Sequence, residues 1–289
     1  MPQLREIRTK IKSVNSIKKI TRALQLVAAS KMKRTHAAME QSRPYSDKIR
    51  SVIGHVALSS SEYHHPYLHG NKNTKGLGFI VISSDRGLCG GLNSLLFRKL
   101  LQMISNRQNK NVEPQLCLIG RKSENFFQHI RAGKIIGTAE RLGEKPLVKD
   151  LIGVVKVMID AFDAANLNSI YIAYNEFVNT MVQRPTIKQL LPLPPEAHVR
   201  SGHWDYIYEP DQAKMILNLL MRRYIESQVY QAVVENMACF QAAQMVSMKS
   251  ATENAEDLIY SLQTSYNKER QNTITREIAE IVAGADAIE

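Results

Sequence analysis

From Asp211 to Glu289 the chain has no proline, and its only glycine there is Gly284. No other feature limits the fold so strongly. Nothing in such a run stops a helix, and at about 1.5 Å per residue that helix would exceed ~100 Å. Val229, Val233, Met237, Phe240, Ala243 and Ser247 carry an apolar stripe along it, and Leu258, Leu262, Ile274, Ile278 and Ile281 carry it on. A helix with so narrow a stripe buries too little to be stable alone, so it needs a partner. The other end of the chain offers one. Leu4, Ile7, Ile11, Val14, Ile17, Ile20, Leu24 and Val27 are spaced by three and four. The pattern continues to about Leu58, with a kink expected at Pro44, and predicts a rod on the order of 80 Å. Two such rods bracketing one chain predict an antiparallel coiled coil.

Charge supports the pairing. Residues 1–50 hold 13 Lys+Arg against 3 Asp+Glu, and residues 251–289 hold 3 against 8. The net charge of +11 is therefore two opposed ends and not one uniform basic surface. The basic stretch "RTKIKSVNSIKKITR" lacks interleaved aromatics and keeps helical apolar spacing, so it reads as coiled-coil surface and no nucleic-acid partner is expected. The start, "MPQLREIRTKIKS", has charges where a signal peptide has its apolar core. Three widely spaced cysteines, Cys89, Cys117 and Cys239, fit free thiols in a reducing compartment.

The middle of the chain changes character. "GLGFIVIS", "EPQLCLIG", "KIIGTA", "NSIYIAYNEF" and "PTIKQLLPL" read as strands, separated by helical patterns at Asn93–Asn109, Arg121–Arg131 and Pro146–Ala165. Alternation of this kind predicts an α/β layer with a mostly parallel sheet. "SSSEYHHPYLHGNKNTKG" is its polar entry linker, and "LPLPPEAHVRSGHWDYIYEPD" its proline-marked exit with hairpin-like strands.

Chemistry would be expected first at "SSDRGLCGGLN", Ser83–Asn93, between a strand and a helix. Gly87-Leu88-Cys89-Gly90-Gly91 fits a nucleophile elbow with Cys in place of Ser. A cysteine hydrolase is therefore the alternative reading, with His198 and His203 following in the required order but no marked acid. The plainer reading is a corner: Gly87, Gly90 and Gly91 allow a sharp turn, Asp85 and Arg86 brace it, and Cys89 is buried. The turn matches no phosphate-binding glycine pattern, and "IGRKSE" lacks the P-loop's upstream glycine, so no nucleotide cofactor is expected. "HHPYLH" reads as solvated linker, and no metal is expected.

Four stretches together carry a resemblance: "ITRALQLVAASKM", "SSDRGLCGGLN", "RYIESQVYQAVVENMA" and "YNKERQNTITREIAEIVAGA". In this order, over essentially the whole chain, they resemble the gamma subunit of F-type ATP synthases. The chain is most similar to bacterial members, having neither a transit peptide nor the cysteine-bearing insert of the chloroplast form. The resemblance implies an α/β fold with long helices: residues 1–58 and 210–289 as an antiparallel coiled coil, and residues 75–200 as an inserted Rossmann-like domain. It implies a non-catalytic central shaft of a proton-translocating F-type ATP synthase. Three alpha and three beta subunits would surround the coil, and the epsilon subunit and the c ring would adjoin the α/β domain. Rotation of the c ring would then drive the catalytic beta subunits through their states. The chain would lie peripherally, at the cytoplasmic face of the bacterial inner membrane, held through its partners.

The resemblance also places functional residues. Arg22, Ala23 and Leu24 map to a beta-facing segment, and Arg270, Gln271, Thr275 and Glu277 to the segment opposing it. Together they would form the rotor–stator contact. The small, apolar end "IVAGADAIE" suits a bearing inside an apolar sleeve. Relatives often carry a glutamate and an arginine where this chain has Phe240 and Gln244, which implies a weaker latch toward beta. On that reading, Phe240→Glu with Gln244→Arg would raise coupling.

Overall fold

The computed structural model describes residues 2–59, 66–69, 76–107, 113–143, 146–193 and 213–286. Helix α1 runs from Pro2 to Ser59 and helix α6 from Ala213 to Asp286. Between them lie α2 (Pro66–His69), β1 (Leu77–Ile82), α3 (Leu92–Arg107), β2 (Gln115–Ile119), α4 (Arg121–Ile130), β3 (Lys134–Ala139), α5 (Val148–Asp163), β4 (Ser169–Phe177) and β5 (Gln183–Leu191). The exit stretch, with Tyr206 and Tyr208, lies outside the described residues. Pro44 sits within α1, which runs on to Ser59.

The chain divides into two compact units. One is Met1–Ala29 with Gln244–Glu289; the other is Ser30–Ala243. In the larger unit the strands form one sheet in the order β3-β2-β1-β4-β5. The first four are parallel, and β5 turns back antiparallel on β4. Two crossovers carry the chain from β1 out to β3, and α5 brings it back to β4 across the other face. The order therefore reverses between β1 and β4.

Both faces of the sheet are covered, which is why its inner strands read as continuous apolar runs. Alternation along β1 sends Phe79 and Val81 to one face and Ile80 and Ile82 to the other. Phe79 and Val81 meet Leu96, Phe97 and Leu100 of α3 and Phe127 of α4. Ile80 and Ile82 belong to the core that holds Leu151, Val154, Val155, Met158, Ile159 and Phe162 of α5. That second core also takes Met221, Tyr224, Ile225, Val229, Ala232 and Val233 of α6, so here α6 is packed into the α/β domain itself. Edge strand β5 carries Pro185, whose carbonyl accepts a 2.8 Å hydrogen bond from Lys99 Nζ of α3. At the other edge β3 pairs with β2 through an irregular register at Leu116/Cys117.

Candidate functional site

Two regions bear on function: the glycine turn in the larger unit and the helix pair in the smaller one. The turn is built by side chains that close on backbone. Asn93 Nδ2 donates to Ser84 Oγ at 2.8 Å, and Ser84 Oγ lies 2.7 Å from the Arg86 carbonyl. Asp85 Oδ1 accepts the Arg121 N–H at 3.0 Å, which satisfies the first amide of α4. Leu88 (φ 65) and Gly90 (φ 58) hold the left-handed conformation. A Cβ on Gly87 or Gly91 would meet only ordinary contacts, at 3.7 Å and 3.6 Å. The sharp turn thus uses Gly90 and, against expectation, Leu88. Nothing among the described residues explains glycine at 87 and 91.

Cys89 is buried, and with Leu92 it packs on Cys239 and Ala243 of α6, flanked by Phe177 and Phe240. Burial pushes its thiol above the ordinary range, the wrong direction for a nucleophile. A groove of ≈ 570 Å³ beside the turn is lined by Leu88, Cys89, Lys122, Asn125, Phe126 and His129, among others, and by no carboxylate. His129 Nδ1 is engaged with its own helix, 2.6 Å from the Asn125 carbonyl. His198 and His203 lie outside the described residues, as do His64 and His65. The hydrolase reading therefore has no support. Alkylation of Cys89 at pH 8 is expected to run at least ~100-fold slower in the folded chain than in urea, as peptide mass spectrometry would read. Among the described residues no His/Cys/Asp/Glu group could hold a metal, and no helix is long and apolar enough to cross a membrane.

Phe240 also bears on the turn. It is half-buried against the Cys89 cluster, so it braces the corner. A carboxylate there would face Cys89, Cys239 and Ala243. Phe240→Glu is expected to destabilise by about 2 kcal/mol, visible as a lower urea midpoint.

In the smaller unit the two helices pair with steps of three and four. On α1, Leu4, Ile7, Ile11, Val14, Lys18, Thr21, Gln25 and Ala28 are drawn in from solvent. On α6, Met248, Thr252, Ala255, Ile259, Leu262, Tyr266, Glu269 and Thr273 are drawn in. This 3.5-residue period is that of a left-handed coiled coil. Thr21 Oγ1 and Thr252 Oγ1 meet at 2.8 Å in mid-seam, and Lys18 Nζ reaches Glu256 Oε1 at 2.9 Å. Each threonine also touches its own helix backbone, so both hydroxyls are satisfied where they are buried. Ile17, Ile20 and Val27, read from sequence as part of the stripe, point outward at 53%, 59% and 49% exposure. Leu258 and Ile274 leave the α6 seam in the same way.

The Thr21–Thr252 register fixes where the carried-over residues lie. Arg22 and Ala23 are exposed and Leu24 half-buried, level with the segment just before Thr252. Arg270 and Gln271 are exposed, roughly 30 Å further along the axis and level with the start of α1. Thr275 and Glu277 lie beyond that start, also exposed. The structure therefore does not bring the two sets face to face.

Comparison with known proteins decides the family. A family model described as ATP synthase matches residues 3–288. An ATP synthase gamma chain of Coxiella burnetii (strain Dugway 5J108-111) is 57% identical over 290 residues, covering all of both chains. The chain belongs to the gamma-subunit family of F-type ATP synthases, the family of the central rotor stalk. A gamma chain of Legionella pneumophila (strain Corby) is 52% identical over 291 residues, again over the whole of both. The fold agrees. A chain of the Euglena gracilis mitochondrial ATP synthase, in a structure of OSCP, F1 and the c-ring, superposes with a TM-score of 0.67 at 16% identity. The match covers 99% of this chain and 95% of that one. A chain of the Tetrahymena thermophila central stalk and c-ring gives 0.60 at 21% identity, over 80% and 99%. For a gamma-family chain the glycine turn is a corner docked on α6, and the seam is the helix pair of the stalk.

Proposed function

We propose that this chain is the non-catalytic shaft of a proton-translocating ATP synthase, turning inside three alpha and three beta subunits. One observation carries the reading beyond family membership: the coiled coil exposes large apolar side chains outside its seam. Ile17, Ile20, Leu26 and Val27 face outward on α1, and Tyr260, Ile274, Ile278, Ile281 and Val282 on α6. Apolar surface of this extent marks a covered helix pair. The small, apolar end of α6, with Ile281 and Val282 exposed, suits a bearing in an apolar sleeve.

Arg22, Ala23 and Leu24 form one level of the rotor–stator contact, and Arg270, Gln271, Thr275 and Glu277 a second level further along the axis. The two levels act on the beta subunits separately, because the register keeps them apart. Each rotor angle presents a different face to each beta subunit, and so changes the relative free energies of its states. The larger unit carries the epsilon and c-ring contacts, and the complex sits peripherally at the cytoplasmic face of the bacterial membrane.

Reconstitution tests this. Mixed with alpha and beta subunits from the same source, the chain is expected to enter as one copy per three alpha–beta pairs and to raise ATP hydrolysis, while hydrolysing none alone. Failure to assemble, or turnover unaltered by its addition, would overturn the proposal.

A further inference from the structure

Where β1 ends, α6 takes over its role. The last pairing of β1 with β4 is Val81 with Ala173. Strand β4 runs on to Phe177, paired on its other side with β5. By alternation, the backbone groups of buried Asn175 and half-buried Phe177 face the edge that β1 has left, in need of partners. Side chains of α6 supply them. Asn236 Oδ1 accepts from the Asn175 backbone N–H at 3.3 Å and from Asn175 Nδ2 at 2.9 Å. Glu235 Oε1 accepts the Phe177 N–H at 3.0 Å. Cys239 Sγ donates to the Asn175 carbonyl at 3.2 Å. Glu235 and Asn236 are buried, at 5% and 2% exposure.

A second grip lies thirteen residues earlier on the same helix. Arg222 Nη2 reaches Asp163 Oδ2, at the end of α5, at 3.5 Å, and Tyr67 OH donates to Asp163 Oδ1 at 2.7 Å. Thirteen residues are roughly 20 Å of rise and about 220° of turn. The two grips therefore hold α6 from different sides. Interdigitated apolar side chains already resist rotation of α6 in its bed, but they aim at no particular backbone group. Hydrogen bonds that aim individual side chains at strand backbone add a directional restraint.

We infer that Glu235 and Asn236 are positioning residues that lock α6 against rotation within the α/β domain, so that turning force passes between the sheet and the shaft. The inference rests on the shaft reading above and adds the residues through which the force travels. It requires only that the acceptors be present, not that Glu235 be charged.

The test uses the assembled complex of alpha, beta and this chain, fixed to a surface, with a probe attached through Met181→Cys at the exposed tip between β4 and β5. Angular variance of the probe during catalytic pauses reads the stiffness between domain and shaft, and ATP turnover is measured alongside. Variance is inverse to stiffness, so weakening this grip by Glu235→Ala with Asn236→Ala, which leaves the Cys239 bond in place, is expected to raise it by up to about twofold with turnover unchanged. Glu235→Gln keeps an acceptor and is expected to leave variance at the unsubstituted level. Variance unchanged in the double variant, or raised equally by Glu235→Gln, would overturn the inference. If the double variant does not assemble, Asn236→Ala alone decides: raised variance at normal turnover supports the lock, and unchanged variance overturns it. If the unsubstituted chain neither assembles nor turns the probe, the shaft reading itself fails, a result distinct from unchanged variance in a working motor.

Discussion

Gly120→Ala is expected to cost about 3 kcal/mol or more of stability. Gly120 stands between β2 and α4 with φ +96, where an L side chain is strained. Its added Cβ would come within 2.4 Å of the Ser83 carbonyl oxygen and 2.8 Å of Ser83 Oγ. Neither atom is free to yield. The Ser83 N–H is bonded to the Ile119 carbonyl at 2.8 Å, and Ser83 Oγ accepts from the Ser123 N–H at 2.9 Å. The methyl therefore pries apart the ends of β1 and β2, the ends that aim the glycine turn. Gly153→Ala is the matched control. That residue lies inside α5 with nothing within 4 Å of the added carbon. It is expected to be neutral or to stabilise by up to ~1 kcal/mol. Urea midpoints of the full chain, followed by far-ultraviolet circular dichroism, compare the two. Equal midpoints would show that the corner is pliable.

Phe127→Ala is expected to cost about 3–5 kcal/mol. Phe127 is fully buried and stands at the centre of an aromatic cluster. Its ring meets Phe97 edge-on at 5.5 Å and Phe126 at 5.1 Å, while Phe97 and Phe126 stack at 4.7 Å. Together the rings join α3 to α4 over one face of the sheet. Phe126 is only half-buried, so Phe126→Ala is expected to cost about 1–2 kcal/mol. Thermal or urea unfolding of the two variants reads the difference, and comparable losses would show that the cluster, not the buried ring, sets the cost.

The α/β domain was legible because its signals are local. Strands covered on both faces show as apolar runs, and α5 spaces Leu151, Val154, Val155, Met158, Ile159 and Phe162 for one face. The coiled coil was legible in kind but not in detail. Its seam passes through Lys18, Thr21 and Gln25, and a search for apolar residues slides off it onto Ile17, Ile20 and Val27. The strict 3–4 step, continued through polar residues, would have been the signal to follow. The grip of Glu235 and Asn236 on β4 had no signal in one dimension. Within "AVVENMACF" the two read as a polar break in a stripe, and only the early end of β1 makes them necessary. Leu88 has no signal for a related reason: with three glycines nearby, nothing in the sequence asks a leucine to hold the left-handed conformation.

The two edges of the sheet also govern how this chain can go wrong. An open edge invites another copy to add a strand. Here β5 carries a proline, Lys188 and a carbonyl already taken by Lys99, while β3 joins through an irregular register and begins at a lysine. Before its partners arrive, the chain is guarded against β-type self-association, and among the described residues most of its uncovered apolar side chains are on helices. Clumps formed by the isolated chain should therefore stay helical, dissolve when partner subunits are added, and leave an amyloid dye dark.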